Sequence, residues 1–221
     1  GREVKLEALG IETASFPTAR PAAKSRELTC SRCQAPLELL NPDEAQRVTC
    51  THCGSLLDAT EEPLRFLEKL RAPKLRWPLG SEATFDGATY RVAGWMERDC
   101  NVYGETYAWQ EYLLYDPKDA SYRYLLMSDH HWSLVTPISA GDIERGPDGA
   151  TYRGQSFRKF SRVQARVRQV WGEFPWAVAR GETVYAIDYI APPEGLSEER
   201  SGSEINWSHA RYLTPQEVWA A

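Results

Sequence analysis

Residues 82–95 have the sequence Glu-Ala-Thr-Phe-Asp-Gly-Ala-Thr-Tyr-Arg-Val-Ala-Gly-Trp, and this stretch decides the fold class. Strand-forming residues lie on both sides of Asp86-Gly87, a pair that favours the type I′ turn of a β-hairpin because both of its central residues need a positive φ. From Trp77 onward, similar runs rich in Tyr, Trp, Val and Thr alternate with Gly, Asp and Pro at intervals of about 8–12 residues. The pattern predicts a mainly β domain over residues 77–221, an antiparallel barrel or sandwich with few short helices.

The individual strands can be predicted from these runs. They are Glu82–Phe85, Ala88–Trp95, Tyr107–Tyr115, Tyr122–Met127, Trp132–Thr136, Ala150–Tyr152, Phe157–Trp171, Trp176–Val178 and Glu182–Ile190. The hexapeptide Asp-Gly-Ala-Thr-Tyr-Arg occurs at 86–91 and again at 148–153, which suggests a duplicated half-barrel. At the C-terminus, Thr214-Pro215-Gln216-Glu217 predicts a short helix, with Thr214 as its cap and Glu217 reaching back to the cap amide.

Residues 28–60 are predicted to form a metal-binding module, because they contain two matching cysteine motifs. The first is Cys30-Ser-Arg-Cys33-Gln-Ala-Pro-Leu37 and the second is Cys50-Thr-His-Cys53-Gly-Ser-Leu-Leu57, so each reads Cys-x-x-Cys-x-x-x-Leu. The two-residue spacing lets one tight turn direct both sulfurs at an ion, and the sixteen intervening residues suffice for a hairpin. Cys30, Cys33, Cys50 and Cys53 are therefore the predicted ligands of a zinc ribbon.

The ligand set indicates the metal and its role. Four thiolates suit zinc or iron, and ribbons of this kind more often hold zinc, so we predict a structural Zn²⁺ with no coordination position left for a substrate. A pair of redox motifs and chance are the alternatives, and the shared leucine offset disfavours both. His52 is predicted to be exposed, and Gln34 stands where the second motif has Gly54, which strains the backbone if that residue is left-handed.

Two further segments complete the predicted organisation. Residues 1–27 show no sustained periodicity and are predicted to be a partly irregular leader, with one strand around Val4–Leu9 as the alternative. Residues 61–76 are predicted to be a short helix and linker, because acidic residues and Pro63 precede the apolar run from Leu64 to Leu70.

The composition restricts location and partners. The formal charge of −5 and the pI of about 5.5 disfavour broad nucleic-acid binding by the whole molecule. The sequence has no apolar run of about 18 residues and no signal-peptide pattern, so no transmembrane segment is predicted. Four of the five cysteines lie in two tight pairs, which is typical of a metal site in a reducing compartment. We expect a cytoplasmic protein, with peripheral contact to the inner membrane left open.

A series of ordered motifs over residues 77–218 resembles a bacterial family, the domain of unknown function 4178. These motifs are Trp77-Pro-Leu-Gly80, Phe85-Asp-Gly87, Tyr90-x-Val92-x-Gly94-Trp95, Trp109-x-Glu111-Tyr112-Leu113-Leu114, His131-Trp132-Ser133-Leu134, Gly172-Glu173-Phe174-Pro175-Trp176, Asp188-Tyr189-Ile190-Ala191-Pro192-Pro193, Gly195-Leu196-Ser197 and Glu204-Ile205-Asn206-Trp207. The resemblance implies one or more zinc ribbons ahead of the domain and, in some members, apolar tails that look membrane-embedded. It implies no established reaction.

Several polar residues are candidates for chemistry, and each also has a structural explanation. His130 and His131 would point to opposite faces if both lay in a strand, so they would not chelate one ion there. Glu111, Glu173 and Glu204 could be partly buried acids or could hydrogen-bond turns. Cys100 follows an aspartate that disfavours its thiolate, so it is predicted to be inert. No nucleophile and base stand in recognisable spacing and no phosphate loop is present, which disfavours enzyme activity.

A basic stripe is the most suggestive surface. Arg162, Gln164, Arg166 and Arg168 would share one face of a strand, with Arg158 and Lys159 just before them. Arg158, Lys159, Arg162, Arg166 and Arg168 are candidates for binding an anionic partner: an acidic protein, lipid headgroups or nucleic acid. The alternative is internal pairing with the seven acids of residues 181–221.

The aromatic residues suggest a second surface. Trp95, Trp109, Trp132 and Trp176 are candidates for contacting a partner or for lining a small-ligand site in the mouth of the sheet. We hypothesise a non-enzymatic zinc-ribbon adaptor or scaffold that binds a protein partner, with a bacterial membrane-associated stress or defence system as one setting. The alternative is a module that binds a small ligand or an anionic surface, either lipid headgroups or nucleic acid.

Overall fold

The computed structural model describes residues 28–221, and within them the chain is mainly β, as predicted. The strands are β1 (Leu28–Thr29), β2 (Pro36–Leu37), β3 (Arg47–Thr49), β4 (Ser55–Asp58), β5 (Arg65–Lys69), β6 (Glu82–Phe85), β7 (Ala88–Val102), β8 (Glu105–Asp116), β9 (Ser121–Ser128), β10 (His131–Ile138), β11 (Ile143–Arg145), β12 (Gly149–Tyr152), β13 (Gln155–Phe174), β14 (Thr183–Ala191), β15 (Glu194–Ser201) and β16 (Glu204–Leu213). A 3-10 turn covers Ala140–Asp142, and helix α1 covers Pro215–Ala220. The predicted leader, with its alternative strand at Val4–Leu9, lies outside the described residues.

Eight of these strands close into an antiparallel barrel, which decides between the barrel and the sandwich predicted from the sequence. Their order is β7, β8, β9, β10, β16, β15, β14 and β13. The ring closes because β13 pairs with β14 along its middle and with β7 from Arg166 to Gly172. Over the paired residues, closure removes the free edges that an open sheet would leave at β7 and β13.

Two glycines sit at the closing seam. Gly94 and Gly172 are direct partners in the β7–β13 ladder, whose register shifts between Val167 and Gln169. On its other side, β7 has a register shift with β8 between Val92 and Gly94. Gly172 has a φ of +105°, and a Cβ there would lie 2.5 Å from the carbonyl oxygen of Ala93 and 2.8 Å from the Cα of Gly94. Glycine is required at Gly172 by both backbone conformation and close approach.

The cysteine module is joined to the barrel by a continuous sheet. Strand β3 pairs with the end of β13, with Glu173 opposite Val48 and Phe174 opposite Arg47. Strand β4 pairs with β3, and β5 then pairs with β4. The main core also spans this junction, since Leu56 of β4 and Leu70, which follows β5, pack into the same cluster as barrel residues such as Trp171.

The predicted helix in residues 61–76 is wrong. The apolar run from Leu64 to Leu70 instead contains strand β5, which pairs with the otherwise free edge of β4. Leu64 packs into the cluster around the cysteines, and Leu70 packs into the main core. A helix of this length is marginal alone, so the hydrogen bonds and burial offered by the neighbouring strand override the local helix signal.

The turn and the C-terminal helix predicted from the sequence are both present, whereas the two copies of the repeated hexapeptide differ in structure. The Asp86-Gly87 turn is confirmed, with φ values of +52° and +77°. Helix α1 is confirmed with its capping box, because Glu217 Oε2 accepts a 2.7 Å bond from the Thr214 amide and the Thr214 hydroxyl accepts a 3.3 Å bond from the Glu217 amide. The two hexapeptide copies differ in backbone conformation, since Gly87 lies in a turn with a positive φ, whereas Gly149 begins β12 and has no positive φ.

Three predictions about strands need correction. The segment Trp176–Val178 is not a strand, and β7 and β13 are both longer than predicted. Strands β15 and β16 were not predicted. In β15 the signal is weak because glycine and, to a lesser degree, glutamate are depleted in strands. Ion pairing and the burial of Leu196 stabilise β15 here: Glu198 is fully buried and pairs with Arg145 on β11 and with Arg200 on β15 itself.

The seam glycine provides a test of the closure. Gly172→Ala is expected to destabilise the fold by about 3 kcal/mol or more, because it combines an unfavourable positive φ with overpacking against the β7 backbone. Gly154→Ala is the matched control, since Gly154 has a φ of +80° but nothing within 4 Å of an added Cβ. The control should lose only about 1–2 kcal/mol. Urea denaturation followed by tryptophan fluorescence measures both, and equal losses would contradict the close approach at the seam.

Candidate functional site

The four predicted metal ligands converge on one point. The Sγ atoms of Cys30 and Cys53 are 3.7 Å apart, as are those of Cys33 and Cys50, and all four sulfurs lie within 4.8 Å of one another. Tetrahedral coordination with metal–sulfur bonds of about 2.3 Å places sulfurs about 3.8 Å apart. A disulfide would need about 2.05 Å. The arrangement therefore fits one tetrahedral metal ion and not a disulfide pair.

Both cysteine motifs form the same turn. The amide of Gln34 donates to the carbonyl of Cys30 at 2.9 Å, and the amide of Gly54 donates to the carbonyl of Cys50 at 2.7 Å. Gln34 and Gly54 both have a left-handed backbone, with φ values of +63° and +71°. Gln34 therefore has the conformation that the sequence comparison identified as strained for a residue other than glycine. A Cβ at Gly54 would lie 2.5 Å from the carbonyl oxygen of Leu70, whereas Gln34 is exposed. Glycine is thus needed only in the motif that packs against the rest of the protein.

The surroundings of the thiols are asymmetric. The Ser55 hydroxyl lies 3.2 Å from Cys53 Sγ and lowers the pKa of Cys53 to about 6, whereas burial raises the pKa of Cys50 to about 12. The Arg32 amide lies 3.4 Å from Cys30 Sγ. When a metal is bound, its charge would favour the thiolate form of each ligand. His52 is exposed in its turn and is not part of the cluster.

An apolar shell encloses the cysteines and explains the leucine that follows each motif. Leu37 and Leu57, the two leucines at equivalent positions, both pack in the same cluster as Cys30 and Cys50. Leu57 is fully buried. If a metal ion were bound, four soft protein donors in such a shell would leave no coordination position for substrate, so the donor set fits a structural site.

Glu173, one of the candidate acids, connects the module to the barrel. Its carboxylate is buried and accepts hydrogen bonds from the amides of Leu40 and Asn41 at 2.7 and 2.8 Å. Burial raises the pKa of Glu173, and the two amide bonds oppose that rise. These contacts satisfy the carboxylate through the backbone of the ribbon, which is a structural use of the residue.

Glu111 belongs to a buried polar group inside the barrel. It accepts hydrogen bonds from Arg98 Nη1 at 3.2 Å and from Trp109 Nε1 at 2.6 Å. Arg98 Nη1 also donates to Glu199 Oε1 at 2.7 Å, and Glu199 lies on β15, which is not a neighbour of β7 in the ring. The pair therefore crosses the barrel interior. Sequence reasoning missed Arg98, because a single arginine in a predicted strand gives no sign of facing inward.

The remaining polar candidates are scattered. His130 lies in the β9–β10 turn with a φ of +64°, and His131 opens β10, exposed beside Tyr212. Neither is in the cysteine cluster, the only group of three or more potential metal ligands found in residues 28–221. Glu204 is exposed. Burial raises the pKa of Cys100, and nearby Asp99 adds to that rise, so the thiolate is disfavoured as predicted.

The four candidate tryptophans do not line one pocket. Trp95 pairs with Tyr112 and Trp109 with Arg98 in the same unbroken stretch of ladder, so these two indoles project from opposite faces of the β7–β8 pair. Trp132 packs edge-on against Trp77. Trp176 packs against Phe174 and Tyr124.

The basic stripe divides into a paired and an unpaired part. Arg166 binds Asp99 through two bonds of 3.1 and 3.0 Å, and Arg168 binds it at 2.8 Å. The alternative given above was internal pairing with the acids of residues 181–221; these two arginines do pair internally, but their partner is Asp99 on β7. Arg168 reaches the same carboxylate as Arg166 because it occupies the bulge between Val167 and Gln169.

Arg158, Lys159 and Arg162 make up the unpaired part. None of the three forms an ion pair with any acid in the described part of the chain, although Lys159 Nζ donates to the carbonyl of Pro147 at 3.2 Å. Arg162 and Gln164 are exposed and alternate with less exposed Val163 and Ala165, as the strand pattern predicted.

These features define the class of protein: a small module whose four clustered cysteines fit a metal site, joined to an eight-stranded antiparallel β-barrel. Residues 78–215 match the family described as Domain of unknown function (DUF4178), and the chain belongs to that family. The family resemblance inferred from the motifs is thus confirmed. Neither the curated proteins nor the solved structures contain a match. Among residues 28–221, helices of the length and apolarity needed to cross a membrane are absent.

The cysteine geometry predicts stoichiometric metal binding. Metal-free protein titrated with Co²⁺ is expected to take up about one ion per chain, with the visible absorption of a tetrahedral thiolate complex. Cys53→Ser should lose that spectrum or bind Co²⁺ at least tenfold more weakly, whereas Cys100→Ser, which lies outside the cluster, should bind like the parent. An octahedral spectrum, or equal loss in both variants, would sink the assignment.

The Asp99 cluster predicts a pH dependence of stability. Hydrogen bonds from Arg166, aided by Arg168, hold the pKa of Asp99 below its usual value despite burial. Because the pKa of Asp99 is lower in the folded state than in the unfolded state, the ionised carboxylate stabilises the fold. This stabilisation is complete above the unfolded-state pKa of about 3.9 and is lost as the pH falls below it. The free energy of unfolding should therefore fall as the pH drops below about 4, and Asp99→Asn should reduce that slope.

The control for this experiment is Asp43→Asn. Asp43 is exposed and forms no ion pair in the described part of the chain. Urea unfolding at each pH, compared between the two variants and the parent, isolates the Asp99 contribution from metal loss, which all three share. Parallel pH profiles for the parent and Asp99→Asn would contradict the stabilising role of the cluster.

Proposed function

We propose that this protein is a non-enzymatic adaptor, in which a structural zinc site holds a ribbon against a β-barrel that binds a protein partner. The observation that carries the proposal is the surface of β13 and its neighbours. Arg158, Lys159 and Arg162 have no acidic partner in the described part of the chain, and exposed apolar side chains lie beside them. Phe160 is 64% exposed and Tyr185, opposite Gln164, is 54% exposed.

The assignment of zinc rests on the donor set and the closed geometry. Four thiolates at tetrahedral spacing suit zinc, which has no redox chemistry and favours this coordination. Cys30, Cys33, Cys50 and Cys53 would hold the ion, and its role would be to stabilise the turns that precede β2 and β4. Removal of zinc should then unfold residues 28–60, because so small a module has little core of its own.

The use of buried acids supports a binding role over an enzymatic one. Glu111 is held by Arg98 and Trp109, and Glu173 is held by two ribbon amides. Both carboxylates are thus occupied in structural contacts, whereas a general acid or base must reach a substrate. A cytoplasmic location, with or without contact at the inner membrane of a bacterium, is part of the proposal.

An anionic surface, either lipid headgroups or nucleic acid, is the second candidate. The three unpaired cations favour it, since basic side chains attract phosphates. The net charge of −5 and the exposed apolar residues beside these cations favour a protein partner instead.

Site-specific photo-crosslinking in the native host tests the proposal. A photoreactive amino acid at Phe160 is expected to trap one discrete partner, while the same group at Tyr212, 49% exposed on β16, should not. Combining Arg158→Glu with Arg162→Glu should reduce the adduct about tenfold or more, because two favourable charges become repulsive. Lys118→Glu reverses an exposed charge that has no ion pair in the described residues, and it should leave the adduct unchanged.

Other outcomes would overturn the adaptor hypothesis. Failure to trap any protein at Phe160, combined with a monomeric parent chain, would remove it. Binding of the parent chain to anionic vesicles or to single-stranded DNA, lost in the double arginine variant, would establish the second candidate in its place.

A further inference from the structure

One edge of β13 lacks a strand partner along part of its length. On the side away from β14, the pairing with β12 ends at Arg158, and the amide of Lys159 donates to the carbonyl of Asp148. Pairing with β7 begins only at Arg166. No strand of residues 28–221 covers this edge from Phe160 to Ala165, while the opposite edge is paired with β14 over Arg158–Arg166. This uncovered segment of β13, residues 160–165, is about 20 Å long.

The backbone of this segment, which we call the open edge, faces outward at alternate residues. Val167 exchanges hydrogen bonds with Glu182 and Gly181, on the side of β14. In an antiparallel ladder the direction alternates, so Ala165 and Val163 also bond toward β14, and Gln164 and Arg162 direct their N–H and C=O groups to the open side. Such groups form a template for another strand.

The side chains within the open edge and immediately before it indicate what kind of strand would fit. Arg158, Lys159 and Arg162 supply three positive charges with no acid against them in the described residues. Phe160 places an exposed ring at the register shift between Lys159 and Ser161. A second copy of this chain is a poor occupant, because the same cations would face one another.

We propose that an extended acidic segment of a partner protein adds to the open edge as an additional strand of the sheet. This inference rests on the proposed adaptor function and specifies its mode of binding. Backbone hydrogen bonds to Arg162 and Gln164 supply affinity, and acidic side chains opposite the cations set the register. An alternative role for the charges and the bulge is to prevent unwanted pairing of this edge with other strands. The exposed ring of Phe160 argues against that role, because an apolar side chain at an edge favours association.

A defined peptide tests the proposal on the full chain. The probe is a fluorescein-labelled peptide of alternating glutamate and valine, and fluorescence anisotropy measures its binding. Arg162→Glu should weaken binding about tenfold. Gln164→Pro should abolish it, because proline removes an amide that faces the open side and makes no bond to β14. Lys118→Glu should bind as the parent does, and a lysine–valine peptide should not bind.

A peptide variant separates backbone pairing from simple charge attraction without altering the protein. The glutamate–valine peptide with alternate amides N-methylated keeps its charge but loses one row of donors, so it should bind at least tenfold more weakly. Circular dichroism checks that Gln164→Pro folds, and if it does not, the N-methylated peptide decides the question alone.

Three results would overturn strand addition. These are equal binding of the methylated and unmodified peptides, an absence of peptide binding, and self-association of the chain that Gln164→Pro abolishes. If Phe160 crosslinks a partner but the peptide fails, the strand-addition mode falls while the adaptor function stands. If the crosslink and the peptide both fail, both fall.

Discussion

The twenty-residue strand β13 is the element on which the rest of the structure depends, because four different strands pair with it. It carries β12 at its start, β14 along its middle, β7 at the seam and β3 at its end. A barrel requires its strands to be staggered, so a long strand can close the ring with one part and extend beyond it with another. The contact between Gly172 and Gly94 allows this change of partner, since no side chain separates the two backbones at the seam.

The cysteine module depends on the same strand. Residues 28–60 are too few to bury a substantial core, so the attachment to β13 supports the module, and the proposed metal would supplement that support. Glu173 lies at the point of attachment, where its backbone pairs with β3 and its carboxylate holds the amides of Leu40 and Asn41. The asymmetry of the two cysteine motifs follows from this docking: the motif with Gly54 contacts Leu70, and the motif with Gln34 faces solvent.

Local signals in the sequence predicted local features well, and failed where a distant partner decides the outcome. The cysteine spacing, the Asp86-Gly87 turn and the α1 capping box each depend on residues a few positions apart, and all three are present. Strand β5 instead results from an available edge on β4, and β15 is stabilised by Arg145, more than 40 positions away. The pairing of Asp99 with Arg166 and Arg168 could not be predicted either, because it depends on which strand closes the barrel and on a bulge that no motif marks.

The distribution of charge along β13 follows the availability of partners. Where β13 meets β7 at the seam, a buried aspartate neutralises two arginines, since burying their carboxylate partner unpaired would be strongly unfavourable. Where the strand leaves β7, Arg158 and Arg162 have no such neighbour in the described residues, and solvent can hydrate them. Three features therefore occur together within residues 158–165: backbone groups without a strand partner, cations without an acidic partner and an exposed aromatic ring. Closing the barrel through only one part of a long strand leaves the other part exposed, so the geometry that completes the fold also creates the surface best suited to receive another chain.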